Sequence, residues 1–181
     1  MLTSDRYLYE RENYSTAKTY LEAAMQNFSI RNSHAYVSAI ELEGLVNLDI
    51  SRPIIALRLF EKAHEIRTKI IIDDDKLTAA SFVNIGLALT ELGQFDQAQE
   101  NLQRSIDIRL QHNSDRIGNS YSNMASLLLR KGLHDEAEEM LKRCPSLKDF
   151  TDETFLKTGN PRFSGYGQTT YIMFIRLTRV K

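Results

Sequence analysis

One segment of this sequence is written twice. Phe82-Val83-Asn84-Ile85-Gly86, then Gly93, Ala98 and Leu102, recur at an offset of 39 as Tyr121-Ser122-Asn123-Met124-Ala125, Gly132, Ala137 and Leu141. Aromatic falls on aromatic, amide on amide, and small residue on small residue. A chain that repeats itself at a period of roughly 20–50 residues cannot bury the apolar face of one unit alone; its units must stack into a solenoid. The pattern continues upstream. At an offset of 42, Gly44 falls under Gly86, Ala56 under Ala98, Phe60 under Leu102 and Arg67 under Arg109. A further offset of 39 places Ala17, Leu21 and Ala24 under Ala56, Phe60 and Ala63.

Within each copy the apolar residues recur at spacings of three and four, the helix period. Ala17, Leu21, Ala24 and Phe28 form one such stripe, and Ala56, Leu59, Phe60, Ala63 and Ile66 another. Breaks separate the stripes. Ser51-Arg52-Pro53 places Pro where a first helical turn loses nothing by its missing N–H. Leu92-Gly93 and Lys131-Gly132 supply glycines suited to a left-handed helix end. Arg31-Asn32-Ser33 is a turn with Ser33 as an N-cap candidate, and Asn113-Ser114-Asp115 is expected to supply the N-cap of the helix after it. Three prolines and eight glycines in 181 residues leave little for a turn-rich β fold. The expected class is all-α, a right-handed α-α superhelix.

The array is expected over residues 1–148: a partial unit over 1–30, then repeats over about 34–71, 76–112 and 115–144. Gly44, Ala56, Gly86, Ala98, Ala125 and Ala137 are expected where helices pack too closely for a larger side chain; a mid-helix Gly costs about 1 kcal/mol against Ala and needs such a reason. Residues 149–165 read as the stub of a further repeat and a loop. The tail, 166–181, is acid-free, basic at its end and strand-like at Tyr171-Ile172-Met173-Phe174-Ile175, so it is expected not to belong to the array.

Large residue, Leu, Gly or Ala, Tyr, Gly, Ala, Phe, Ala in that order resembles the tetratricopeptide repeat. The third unit reads Phe82, Ile85, Gly86, Leu89, Gly93, Ala98, Leu102 and Ser105; the fourth reads Tyr121, Met124, Ala125, Leu128, Gly132, Ala137, Leu141 and Cys144. The second departs at Glu43 and Asn47, which implies a shifted register or an altered helix face. The periods of 39 and 42 resemble the kinesin-light-chain form of the repeat. Thr151-Asp152-Glu153-Thr154-Phe155-Leu156-Lys157 and Asn160-Pro161-Arg162-Phe163 resemble long repeat proteins of filamentous fungi.

The resemblance implies a protein or peptide partner held in a concave groove lined by the first helix of each pair. The groove positions are Val83, Asn84, Leu87 and Glu91 in the third unit, and Asn119, Ser122, Asn123, Ser126 and Arg130 in the fourth. An Asn side chain both donates and accepts, so it can read a peptide backbone whatever its sequence; the alternative is that Asn84 and Asn123 bond within the array. The cationic clamp by which some members hold a terminal carboxylate is missing: its positions are Ser38, Glu41, Ala80, Val83, Asn119 and Ser122. The alternative function is a non-catalytic fragment of a larger regulatory or sensor array, with self-association through uncapped ends.

Other classes find no support. A net charge of −1 does not steer the chain to nucleic acid or anionic lipid. Acids and bases alternate one turn apart, as in Glu100 with Arg104 and Glu138 with Lys142, the pattern of a solvated face. His34, His64, His112 and His134 are scattered, with no metal-ligand spacing. Asp73-Asp74-Asp75 lacks the spacing of a calcium loop and reads as acids at a helix N-terminus. Cys144 takes a small-residue packing position, so it reads as a space-filler rather than a nucleophile. No enzyme activity, cofactor or metal is expected. One cysteine, no leader-like apolar run and no membrane-length span point to the cytoplasm.

Overall fold

The computed structural model describes residue 19, residues 34–70 and residues 75–144. They form six helices in three antiparallel pairs: α1 (His34–Asp49) with α2 (Pro53–Ile70), α3 (Asp75–Glu91) with α4 (Phe95–Gln111), and α5 (Ile117–Arg130) with α6 (His134–Lys142). No strand occurs among the described residues. Of the partial first unit only residue 19, which is helical, is described; the stub, the tail and the ends on which self-association would rest lie outside the described residues. So do Ser33, Asp73 and Asp74.

The first two pairs are each locked by one large side chain set against a glycine, and the third repeats the large residue. Phe60, Leu102 and Leu141 stand at equivalent positions of α2, α4 and α6, and each is at most 1% exposed. Burying such a side chain contributes about 1.5–3 kcal/mol. The partner helix makes room by having no bulk there. A Cβ on Gly86 would lie 2.8 Å from Leu102 Cγ, and a Cβ on Gly44 would overlap the Phe60 ring. Ala125, Ala98 and Ala137 are fully buried. Gly44 therefore meets Phe60 as Gly86 meets Leu102, and α1 is in register with the later units. Its departure from the repeat is an altered face: Asn47 is buried where an aromatic is usual, and its amide donates to the Glu43 carbonyl at 2.9 Å.

The breaks between helices share one construction. Gly93 and Gly132 adopt φ of 73° and 78°, and the next residue bonds back to close the helix: Gln94 N–H to Leu89 O at 2.9 Å and Leu133 N–H to Leu128 O at 2.9 Å. This is the Schellman end, in which a left-handed residue satisfies carbonyls the helix leaves free. Ser51 (φ 59°) and Asn113 (φ 47°) fill the same role after α1 and α4, with Arg52 N–H on Asn47 O at 2.8 Å and Ser114 N–H on Arg109 O at 2.9 Å. Pro53 opens α2 as its position before the stripe predicts.

The cap expected at Asn113-Ser114-Asp115 takes another form. Arg116 stands at the N-cap of α5 without a side-chain bond, and Ser114 Oγ accepts from Arg116 N–H at 3.3 Å, a serine turn rather than a helix cap. The chain needs Asn113 to end α4, which displaces the start of α5 beyond the reach of Ser114. On the solvated faces Lys142 pairs with Glu138 at 3.1 Å as expected. Arg104 lies instead over the Phe82 ring, 5.6 Å from its centroid, and forms no ion pair with Glu100.

Two substitutions probe these features. Gly86→Leu overpacks the Leu102 contact and lowers stability by about 1–3 kcal/mol; denaturant melts that match the wild type would mean α3 and α4 do not pack in this register. Ser51→Gly relieves a left-handed serine and raises stability by about 1 kcal/mol, read in the same melts.

Candidate partner-binding groove

The first helices of successive pairs touch one another, α1 against α3 and α3 against α5, whereas the second helices make no comparable contact. The first helices therefore line the inner wall. Asn84, Leu87, Asn119, Ser122, Asn123 and Ser126 are partly exposed there. Val83 is 7% exposed and belongs to the core, so it offers a partner little surface. Glu91 and Arg130 are exposed and form an ion pair with each other across α3 and α5. The first pair contributes a different chemistry: Leu42, at the position of Asn84, is 49% exposed.

Among the described residues, the side-chain amides of Asn84, Asn119 and Asn123 have no hydrogen-bond partner. Other amides of the array do: Asn47 donates to Glu43 O, and Asn101 donates to Gln97 O at 2.8 Å. Polar groups in half-buried positions are ordinarily satisfied by protein or water. Asn84 and Asn123 are thus open donors and acceptors on adjacent helices.

Two arginines lie beneath this surface. Arg67 ends α2 and is 2% exposed; it grips Glu41 of α1 with both terminal nitrogens at 2.7 Å and also donates to Ser81 Oγ and Leu77 O. Arg109 ends α4 and is 5% exposed; it donates to Arg116 O at 2.7 Å and Ser120 Oγ at 2.9 Å, and Ser120 bonds Ser105 at 2.7 Å. No carboxylate pairs with Arg109 among the described residues. Burial, and then the nearby charge of Arg116, pull its pKa below the usual arginine range against the opposing pull of Asp115. The offset of 42 aligned Arg67 with Arg109 in the sequence, but only the fold reveals that both are buried, because an arginine ending an amphipathic helix ordinarily reads as solvated.

Cys144 is fully buried, its thiol donates to Gly118 O at 3.4 Å, and burial pushes its pKa up to about 11, which keeps it protonated. No group of three or more metal-ligating side chains occurs among the described residues, and no described helix is long and apolar enough to cross a membrane. His112 and His134 are exposed on separate helix ends, and His64 is held singly against Phe82.

The model of the tetratricopeptide repeat matches residues 36–111 and 77–144. Comparison with curated proteins finds no match. Among solved structures, the chain is similar to the nearly identical TPR-like repeats of a putative kinesin light chain from Podosopora anserina. The two share 15% identity and a TM-score of 0.64, with 94% of this chain and 77% of that one covered. It is also similar to the apo form of RapI, at 19% identity and a TM-score of 0.66, covering 96% and 65%. A third likeness is to a signal transduction ATPase with a tetratricopeptide repeat sensor from Pyrococcus horikoshii, at 14% identity and a TM-score of 0.59, covering 94% and 24%. At these identities the likeness is one of fold.

His64 makes the joint between α2 and α3 sensitive to acid. Its ring lies 5.0 Å from the Phe82 ring and its Nδ1 is buried without a partner. Burial, and then Arg67 and Arg104, lower its pKa against the opposing pull of Glu41. The unfolded chain therefore takes up a proton near the ordinary histidine pKa of about 6.5 that the folded chain refuses. Stability is full above that pH and falls as pH drops toward the folded pKa. Melting temperature should drop more between pH 7.5 and 5.5 in the wild type than in His64→Gln; equal drops would exclude the histidine as the cause.

Proposed function

The chain belongs to the tetratricopeptide repeat family, whose members generally mediate protein–protein interaction and are generally non-catalytic, and on that premise we propose that its groove binds an extended segment of a partner protein. The observation that carries this reading is the pair of open amides. Asn84 and Asn123 occupy equivalent positions on adjacent helices, at the repeat offset of 39, and bond to nothing else described. Two amides in that arrangement offer a donor and an acceptor each to successive peptide groups of an extended strand. Exposed Leu42 favours an apolar partner side chain toward the α1 end. Toward the other end, the unpaired guanidinium of Arg109 favours an acidic one. The partner is thus an extended segment with an apolar and an acidic residue separated by backbone that the amides hold. A lone thiol buried against oxidation fits a reducing compartment such as the cytoplasm.

The test is a random-peptide selection on the full chain followed by Asn84→Ala/Asn123→Ala. Each lost amide contact is worth about 1 kcal/mol, so selected peptides should bind the double variant about tenfold to thirtyfold more weakly. Circular dichroism and melting temperature should be unchanged, since neither amide supports the fold. Peptides indifferent to both substitutions, or a double variant that loses its fold, would overturn the reading.

A further inference from the structure

The two joints between successive helix pairs are built on the same arginine, serine and carbonyl, and they differ in what surrounds that arginine. At the first, Arg67 donates to Ser81 Oγ and Leu77 O; at the second, Arg109 donates to Ser120 Oγ and Arg116 O. Ser120 and Arg116 stand at the repeat offset of 39 from Ser81 and Leu77, so each bond has its counterpart. Two parts are not shared: Ser120 also bonds Ser105, where the first joint has Ala63, and the first joint alone has a carboxylate. Glu41 closes on Arg67 with two bonds of 2.7 Å, and at the offset of 42 its counterpart is Val83. Arg109 Nε and its second terminal nitrogen therefore carry no hydrogen bond among the described residues. Neither of these Arg109 nitrogens is both buried and without a partner, whereas Arg67 Nε is, so the unbonded edge of Arg109 is accessible; a carboxylate is the planar two-oxygen group that matches it. Glu41 is itself 16% exposed, so the ion pair lies at the groove wall and not in the deep core.

We infer that Glu41 is a ligand the chain supplies to itself: it fills at the first joint the carboxylate position that stays open at the second, and so directs an acidic group of a partner to Arg109 and away from Arg67. The inference rests on the groove reading above and adds its polarity. Position 41 decides which joint reads acid, and Val83, by bringing no carboxylate, keeps the second one available. Exchanging the two residues should move the acid-reading joint by one repeat.

Four full-length proteins test this: wild type, Glu41→Ala, Val83→Glu and the double variant. Each is melted in sodium formate and in sodium chloride at equal concentration, formate being the smallest carboxylate that fits a vacated site. The formate-specific rise in melting temperature should be largest in Glu41→Ala, with two open sites. It should be intermediate and similar in the wild type and the double variant, with one each, and absent in Val83→Glu. A rise equal in all four overturns the inference, as does a Glu41→Ala protein no more responsive than the wild type, which is decisive even if Val83→Glu does not fold. The same proteins are titrated with end-blocked Ala-Ser-Ala-Glu-Ala-Ser-Ala and its Gln counterpart. The wild type should prefer the Glu peptide about tenfold and Val83→Glu should lose that preference. The formate series with no Glu preference in any protein supports the self-supplied ligand while sinking the groove reading; a Glu preference that survives Val83→Glu sinks the inference while leaving the groove.

Discussion

Close approach of two helices at a residue without bulk is the constraint on which this array depends. Phe60 and Leu102 reach full burial because Gly44 and Gly86 leave space opposite them, and Ala125 and Leu141, both fully buried, stand at the equivalent positions of the third pair. The glycines sit mid-helix, where each weakens its own helix by about 1 kcal/mol. That loss is local, and the gain is shared, since burying the large partner contributes about 1.5–3 kcal/mol and also sets the distance between helices. With that distance fixed, the Schellman ends at Ser51, Gly93 and Gly132 fix the direction in which the second helix returns. Register, spacing and turn are then determined for every pair by three positions.

Between pairs the device is polar. Arg67 and Arg109 tie the end of one pair to the start of the next through a serine hydroxyl and a carbonyl. A buried cation is a weak source of stability, because desolvation offsets most of what its bonds return. Its value here is directional: the guanidinium bonds only where Ser81 or Ser120 comes opposite it, so it fixes how far one pair turns relative to the next. The apolar contacts alone would permit sliding; the arginines do not.

Much of this was legible in the sequence, and the limits have physical causes. The offsets of 39 and 42 showed the pairs and their large-to-small contacts because packing imposes the same residue at the same place each time. The left-handed ends at Gly93 and Gly132 were readable from glycine; Ser51 and Asn113 were not, since either residue serves turns and caps alike. Asn113-Ser114-Asp115 was expected to supply the cap of α5; Ser114 makes a serine turn instead and Arg116 stands at the N-cap, a small shift along the chain that composition does not encode. The amides of the groove were named from the repeat frame, but whether they bond inward is a matter of side-chain reach. The arginines were aligned and overlooked, because a charged residue announces its burial only through partners as distant in sequence as Glu41 and Ser81.

The same joint bears on stability and recognition together. A guanidinium buried for orientation retains a charge, and that charge must be answered by something. At the first joint the chain answers it with Glu41, which pairs both terminal nitrogens of Arg67 while Nε stays buried without a partner, and which adds Coulombic coupling to His64, whose neutral form the neighbouring arginines favour. At the second the chain answers with one hydroxyl and one carbonyl, which orient Arg109, and with the Asp115 charge, which forms no ion pair with it. Neutral dipoles fix a cation's position yet leave its field largely unopposed, and near a low-dielectric wall that field is stronger than in water. On the reading proposed above, the part that sets the geometry of the second joint is therefore also the part that takes an acid from a partner. On that reading structural and recognition roles need no separate residues: orientation comes from Ser120 and Arg116, and affinity for an acid is what their incomplete compensation leaves over.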